Sequence, residues 1–169
     1  MTVQTLLLLR HAKSSWDDPA LDDHERPLAE RGRRASRRIA EHMRATAVEP
    51  ELVLCSTARR ARETLELVRP ALPSSVISIE DALYAASADE LLTRIRRVGD
   101  SVASVLVIGH NPGLQQFALL LASGGRGLRQ LEEKFPTAAL ATLTLDATWS
   151  RLAPGVATLA ACVVPRQLG

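Results

Sequence analysis

The 169-residue chain has the length and composition of a single globular domain. Hydrophobic residues make up 46% of the sequence, and its net charge of +2 gives no strong attraction to nucleic acid or to a membrane surface. Its two Trp, one Tyr and two Phe residues are too few for a base-stacking platform. The N-terminal apolar run is too short for a transmembrane helix, and no basic segment precedes it as in a signal peptide. We therefore expect one domain over residues 1–169, a cytoplasmic location, and no nucleic-acid or membrane partner.

The sequence contains no pattern typical of a metal or cofactor site. Cys55 and Cys162 lack the spacing of zinc ligands, and Cys55 lies in an apolar run as a small buried hydrophobe would. Acidic residues gather before His24, between positions 17 and 23, but this segment has no fixed frame around a cation. We therefore predict a protein without a bound metal or cofactor.

Short apolar runs alternate with amphipathic segments along most of the chain. Ala35, Ile39 and Met43, for example, repeat at i, i+4 and i+8 and predict one buried helix face. We predict, in chain order, a strand at 3–9, a helix at 29–46, a strand at 52–55, a helix at 58–72, a strand at 76–79, a helix at 88–98 and a strand at 104–108.

The last third of the chain begins with a helix that places Leu114, Phe117 and Leu121 inward. The glycine-rich segment 123–127 is predicted to be a flexible loop, because it lacks the lysine and the spacing of a Walker phosphate loop. Two strands at 138–145 and 156–164 are predicted to form an antiparallel pair at one sheet edge.

Strands that alternate with helices predict an α/β fold of three layers. Such a fold has a mainly parallel central sheet, helices on both faces and, in this chain, one antiparallel edge strand. In open parallel sheets, ligands bind at the carboxyl ends of the strands. Residues that directly follow a strand are therefore the first candidates for a functional site.

Arg10 and His11 directly follow the first predicted strand, and His110 follows the strand at 104–108. We expect Asn111 to cap the next helix and Pro112 to occupy its first position, which puts both His110 and Asn111 beside a helix N-terminus that favours anions. His110 and Asn111 are therefore candidate ligands of a bound anion.

The segment "STARRARET" at 56–64 places Arg60 in the first turn of a helix, off its apolar stripe. One crevice thus gathers Arg10, His11, Arg60 and His110. Two guanidinium groups and two imidazoles are unfavourable neighbours in one crevice unless an anion lies between them. The planar guanidinium of arginine is well suited to bind two phosphate oxygens. The sequence therefore predicts a phosphate-binding pocket.

Four segments, "LRHAKSS", "RPLAERG", "STARRARET" and "VIGHNPG", occur in this order. Together they resemble the histidine phosphatase superfamily in its phosphoglycerate mutase-like branch, and most of all the small bacterial phosphohistidine phosphatases of the SixA type. The resemblance extends from Leu7 to about Leu121. It implies a phosphoglycerate mutase-like sheet and a phosphatase activity.

The resemblance also implies a role for each residue of the crevice. His11 matches the nucleophile that becomes transiently phosphorylated, and Arg10 matches the phosphate-binding arginine beside it. Arg60, rather than Arg59, matches the helix-borne arginine, and His110 matches the second histidine of the pocket. On general chemical grounds, a neutral imidazole is a competent nucleophile near pH 7, while a protonated second histidine would stabilise the transferring phosphoryl group.

The chain departs from the family pattern at three positions. Ala12 replaces the glycine that usually follows the nucleophile, Thr57 stands where proline is common, and Glu63 replaces a glutamine. None of these changes removes a phosphate ligand. Ala12 requires only that its turn avoid a glycine-specific backbone conformation.

The sequence shows no secure proton donor for a leaving group. Glu80 and Asp81 lie in the plausible region, and the acidic residues at 17–23 lie in a loop. A protonatable imidazole leaves more readily than an alkoxide, so this lack favours a metal-independent phosphatase of phosphohistidine proteins. The alternatives are a phosphatase of small esters such as sugar phosphates or nucleotides, and a non-catalytic phosphate-binding domain.

The helix at 29–46 is unusually rich in arginine. The simple interpretation is a solvated helix face, and the alternative is a surface that docks an acidic phosphoprotein. The expected partner is thus either a phosphorylated protein or a small phosphorylated metabolite.

Overall fold

A computed structural model describes residues 3–168 of the chain. Seven strands form one sheet. They are β1 (Gln4–Arg10), β2 (Leu52–Ser56), β3 (Val76–Glu80), β4 (Ser104–Gly109), β5 (Ala122–Gly125), β6 (Leu140–Leu145) and β7 (Ala157–Val163). Five α-helices connect them: α1 (Glu30–Ala45), α2 (Arg59–Val68), α3 (Ala88–Arg96), α4 (Gly113–Leu121) and α5 (Leu128–Glu133).

The strand order is β3-β2-β4-β1-β6-β7-β5. Strands β1 to β4 pair in parallel, β6 runs antiparallel to both β1 and β7, and β5 pairs in parallel with β7. The predicted α/β fold with a mainly parallel sheet is therefore confirmed. The antiparallel strand lies inside the sheet rather than at its edge, because β7 and β5 continue the sheet beyond it.

Both faces of the sheet are covered, which explains the uninterrupted leucines of β1. Leu6 and Leu8 pack with residues of α3, α4 and α5, whereas Leu7 and Leu9 pack with residues of α1 and α2. All four leucines are at most 1% exposed. Successive side chains of a strand point to opposite faces, so a strand between two helix layers is apolar at every position.

The prediction of a flexible loop at 123–127 is wrong, because Ala122–Gly125 forms the edge strand β5. Its glycines permit a close backbone approach to β7: a Cβ built on Gly125, where φ is +130°, would lie 2.1 Å from the Leu159 carbonyl oxygen. Such a strand is joined to the sheet through its backbone and carries no apolar pattern that a sequence could reveal.

Element boundaries differ from the prediction by a few residues. The cause is clear for the helix predicted at 58–72, which is shorter than expected. There α2 ends at Val68 and the chain continues as a single 3₁₀ turn, Arg69–Ala71. Pro70 lies in this turn, and proline has no N–H to continue the α-helical hydrogen bonding.

Candidate active site

The carboxyl ends of β1, β2 and β4 meet at one edge of the sheet. Arg10 is paired with Gly109 in the ladder between β1 and β4, so His11 and His110 leave adjacent strand ends. The pocket there has a volume of about 390 Å³. All five predicted site residues line it: Arg10, His11, Arg60, His110 and Asn111.

The hydrogen bonds of His11 determine its tautomer. Nδ1 lies 2.8 Å from the carbonyl oxygen of Ala12, which can only accept, so Nδ1 carries the hydrogen and donates it. Nε2 lies 3.3 Å from Nε of Arg60, which can only donate, so Nε2 keeps its lone pair. His11 therefore presents an unprotonated Nε2 to the pocket.

Burial also keeps His11 neutral. The residue is 7% exposed. Its loss of contact with water, together with the nearby His110, Arg60 and Arg10, lowers the pKa of His11 to about 3. Near neutral pH the imidazole is therefore uncharged, as a nucleophile must be.

Ala12 supports the ring through its backbone. Its N–H donates to Oγ1 of Thr64 (3.0 Å), and that hydroxyl donates to the Arg60 carbonyl oxygen (2.7 Å). Positive φ angles among non-glycine residues occur at Ala47, Ala85 and Ala138, so Ala12 does not adopt a glycine-specific conformation. The missing glycine therefore causes no strain at this turn.

Arg60 enters the pocket from the first turn of α2 and is 6% exposed. It donates from Nη1 to the Asp23 carbonyl oxygen (2.6 Å) and from Nη2 to the Asp23 carboxylate (3.0 Å). Arg59 points elsewhere and pairs with Glu63 at 3.1 Å. The helix therefore presents Arg60, and not its neighbour, to the pocket.

His110 lies beside His11, with 5.1 Å between the two ring centroids. Its Nε2 lies 2.8 Å from Oγ of Ser56, the last residue of β2. Burial, followed by the charge of Arg60, lowers the pKa of His110 to about 4. The expectation of a protonated second histidine is therefore wrong for the free pocket, because desolvation and a neighbouring cation oppose a charge there.

The guanidinium group of Arg10 makes only some of its possible hydrogen bonds to the protein. Its Nη1 donates to the Phe135 carbonyl oxygen at 3.0 Å, whereas its buried Nε has no hydrogen-bond partner among the described residues. Burial, followed by Arg60, lowers the pKa of Arg10 from its usual value. An anion in the pocket would offset both the unmade hydrogen bond and the mutual repulsion of the two guanidinium groups.

Asn111 lines the pocket but lies one residue before the cap position, not at it as predicted, since the helix begins at Gly113 and Pro112 occupies the cap position. Its side chain still accepts a hydrogen bond from the first helical turn. Its Nδ2 donates to the carbonyl oxygen of Phe135 (3.1 Å) and to Gln115 (3.2 Å), and its Oδ1 accepts from the Gln115 N–H. Asn111 thus connects the start of α4 to the Phe135 carbonyl oxygen, which also accepts a hydrogen bond from Arg10.

The start of α4 is packed tightly against the preceding loop. A Cβ on Gly113 would lie 2.0 Å from the Ala86 carbonyl oxygen, so only glycine fits at the first helical position. Gly113 therefore permits the close approach of α4 to the preceding loop.

Two more pocket residues are Tyr84, which was not identified from the sequence, and Asp23, which was considered there only as one of the acidic residues at 17–23. Asp23 accepts hydrogen bonds from the Tyr84 hydroxyl (2.5 Å) as well as from Arg60. The Tyr84 hydroxyl first, and then Arg60, lower the pKa of Asp23 to about 2, so this carboxylate is ionised near neutral pH. Asp23 lies in a run of similar acidic residues, and nothing in that run singled it out.

Of the carboxylates considered as proton donors, Asp23 of the segment 17–23 lines the pocket, whereas Glu80 and Asp81 do not. Glu80 pairs with Arg94 at 2.7 Å, which lowers the pKa of Glu80. Asp81 accepts a hydrogen bond from Thr57 at 2.8 Å. Both side chains are committed to contacts outside the site.

At the mouth of the pocket, Trp16 is 69% exposed and the Arg26 guanidinium lies 3.5 Å from the centre of its ring. Arg26 also donates to Ser14 at 2.6 Å and to Asp23 at 3.2 Å. Arg26 is the first residue of the "RPLAERG" motif, so the sequence indicated that it matters but did not reveal its contacts.

Among residues 3–168, no helix is long and apolar enough to cross a membrane. Nor does that part of the chain contain a group of three or more His, Cys, Asp or Glu side chains placed to hold a metal ion.

Comparison with known proteins identifies the family. Residues 6–85 match the model of the histidine phosphatase superfamily (branch 1). An uncharacterised protein of Mycobacterium tuberculosis is 38% identical over 162 residues, which cover 94% of this chain and 100% of that protein. Phosphohistidine phosphatase SixA of Escherichia coli is 32% identical over 155 residues, 83% of this chain and 85% of SixA.

A solved structure of the protein histidine phosphatase SixA in complex with tungstate has the same fold. It superposes with a TM-score of 0.80 and 29% identity over 98% of this chain and 100% of that one. These relatives support a phosphatase activity. The chain therefore belongs to the histidine phosphatase superfamily.

Proposed function

We propose that this protein is a metal-independent phosphatase that removes phosphate from phosphohistidine in other proteins by way of a phosphorylated His11. The observation that carries the proposal is the neutral His11, whose Nε2 is unprotonated while its Nδ1–H donates to the Ala12 carbonyl. Arg10 and Arg60 lie around it as the cations that bind and stabilise the transferring phosphoryl group.

In the first step, Nε2 of His11 attacks phosphorus and the P–N bond to the substrate imidazole breaks. A phosphohistidine protonated on its free ring nitrogen departs as a neutral imidazole, so the step needs no acid from the enzyme. In the second step, water attacks phosphorus and the P–Nε2 bond breaks. Because Nδ1 has kept its hydrogen throughout, His11 leaves in the neutral tautomer with which it began.

The absence of a protonated carboxyl among the pocket-lining side chains favours phosphohistidine over alkyl esters. An alkoxide leaving group needs a proton, and Asp23, the carboxylate that lines the pocket, is ionised near neutral pH. E. coli SixA is named for the proposed activity, and the tungstate in a related SixA is an oxyanion that resembles phosphate in shape. Both likenesses support the proposal.

The test is a substrate panel in the presence of a chelator. One peptide is prepared with phosphohistidine and again with phosphoserine at the same position, and an aryl phosphate is the third substrate. We expect phosphohistidine to exceed phosphoserine by about a hundredfold or more in kcat/KM, with the aryl ester between them. Equal rates on phosphoserine would contradict the substrate assignment, and activity that requires an added divalent metal would contradict the mechanism.

A further inference from the structure

A second concave surface adjoins the active site. Its volume is about 450 Å³, and Lys13 and Thr137 line both this groove and the catalytic pocket. Among residues 3–168, six basic side chains and no acidic ones line it, and we call it the cationic groove. The six are Lys13, Arg31, Arg34, Arg38, Lys134 and Arg166.

These cations come from four separate parts of the chain. Arg31, Arg34 and Arg38 occupy one face of α1, at i, i+3 and i+7. Lys134 directly follows α5, and Arg166 lies in the C-terminal 3₁₀ turn Pro165–Gln167. The fold therefore brings together charges that no single segment of the sequence contains.

The protein hardly neutralises these charges. Within residues 3–168, none of the six side chains donates a hydrogen bond to the protein, and the ion pairs of the groove amount to one, 3.9 Å long, between Arg34 and Glu30. Other arginines of the chain are hydrogen-bonded, such as Arg94 to Glu80 and Arg33 to the Leu28 carbonyl. Six mutually repelling cations beside a phosphate pocket are a binding surface for an anion.

The lining favours an acidic protein segment as that anion. Between the cations lie the apolar side chains of Ala35, Pro136, Val164 and Pro165, which suit the side chains of a peptide. The described part of the chain contributes no aromatic residue to the groove, and base stacking by a nucleic acid would require one. The groove also continues from the pocket at Lys13 and Thr137, which leaves room for a ligand larger than a sugar phosphate.

We propose that the cationic groove docks an Asp- and Glu-rich segment of the protein whose phosphohistidine enters the active site. The proposal rests on the proposed function, because it is the phosphohistidine that must reach His11. It adds the chemistry of the partner and the surface that selects it. Exposed charges of this kind mainly raise the rate at which a partner binds and determine which partner is preferred. Because salt screens exposed charges, both effects should depend on the salt concentration.

Two synthetic peptides test the proposal, each with one phosphohistidine and flanks rich in either Asp and Glu or Asn and Gln. We expect kcat/KM to be about tenfold higher for the acidic peptide at about 0.02 M salt, with the difference lost at about 0.3 M. Binding of the unphosphorylated acidic peptide is measured separately by fluorescence anisotropy, so docking is observed without turnover.

The variant Arg34→Glu/Arg38→Glu should lower kcat/KM for the acidic peptide about tenfold or more, through KM, and weaken its binding equally. Arg37→Glu/Arg44→Glu is the matched control, because these exposed arginines lie on the same helix outside the groove. We expect the control to stay within about twofold of the wild type, and Arg34→Lys/Arg38→Lys to keep the preference. Thermal unfolding of each variant verifies that it is folded.

The possible failures are distinguishable. If the wild type binds the acidic peptide in the expected way but does not hydrolyse its phosphohistidine, the proposed function is wrong and the docking surface stands. Equal hydrolysis of both peptides, or equal losses in the control variant, would overturn the docking surface alone. Tighter binding of single-stranded DNA, dependent on Arg34 and Arg38, would overturn the assignment of a protein partner.

Discussion

The candidate active site and the cationic groove are both rich in basic residues, share Lys13 and Thr137, and differ in their exposure to water. The Arg60 side chain is 8% exposed and anchored by Asp23, whereas the Arg34 side chain in the groove is 54% exposed. In the pocket, positions are determined by hydrogen bonds, and the two histidines lose their charge. In the groove, all six basic side chains are exposed to water.

If both proposals hold, one kind of side chain serves two purposes. A buried cation acts on a reacting atom at a defined distance, in surroundings that screen it weakly. An exposed cation acts over a longer range and is screened by salt. Substitutions in the pocket should therefore have large effects that salt hardly changes, and those in the groove should have small effects that salt removes.

The largest effect is expected at His11. His11→Ala removes the proposed nucleophile and should lower turnover of an aryl phosphate by about 10⁴-fold or more, at low and high salt alike. It should also abolish the acid-labile, alkali-stable phosphate label that rapid quenching traps. His42→Ala, a histidine of α1 outside the pocket, is the control. A label that persists in His11→Ala would place the nucleophile elsewhere.

The second effect compares two neighbouring arginines. Arg60→Ala should reduce kcat/KM by about 10² to 10³-fold, because Arg60 lies against Nε2 of His11. Arg59→Ala should change it by no more than about threefold, since Arg59 pairs with Glu63 outside the pocket. Steady-state kinetics on an aryl phosphate measures both. Equal losses would mean that the pocket does not distinguish the buried arginine from the exposed one.

The third effect is a dependence of stability on pH. The folded pKa values of His11 and His110, about 3 and about 4, lie below the 6.5 of an unperturbed histidine. As pH falls below about 6.5, the unfolded chain takes up protons that the folded chain does not, so the free energy of unfolding should decrease.

Between pH 7 and pH 5 we expect a loss of roughly 1 to 2 kcal/mol for each of the two histidines. Urea unfolding at the two pH values measures it, and His11→Gln/His110→Gln is the control that should remove most of the loss. An unchanged slope in that variant would show that the two rings are not buried in the neutral form.

The smallest effect is expected at Asp23, which joins the exposed rim to the buried cation. Its side chain is 51% exposed, yet it holds Arg60 through its carboxylate and its carbonyl oxygen. Asp23→Ala should lower kcat about tenfold by releasing one anchor of Arg60, and Asp23→Asn should lose less because it keeps an acceptor. A rise in turnover would show instead that Asp23 competes with phosphate for Arg60.

The sequence by itself determined the elements whose signal is local. The leucine run of β1 and the apolar residues of β4 predicted buried strands, and strand ends predicted where Arg10, His11 and His110 would lie. The resemblance of "STARRARET" to the family's motif favoured Arg60 over Arg59, and Arg60 lines the pocket. Periodicity and strand ends are properties of a few consecutive residues, so one sequence reveals them.

Only the tertiary structure decided which distant groups meet. Tyr84 reaches Asp23 across 61 positions, and the cationic groove joins α1 to Arg166 near the C-terminus. The protonation of His110 and the strand β5 likewise depend on neighbours, the first on burial beside Arg60 and the second on backbone contact with β7. Charge states and contacts between loops depend on packing around the finished sheet, and that packing leaves no periodic trace in the chain.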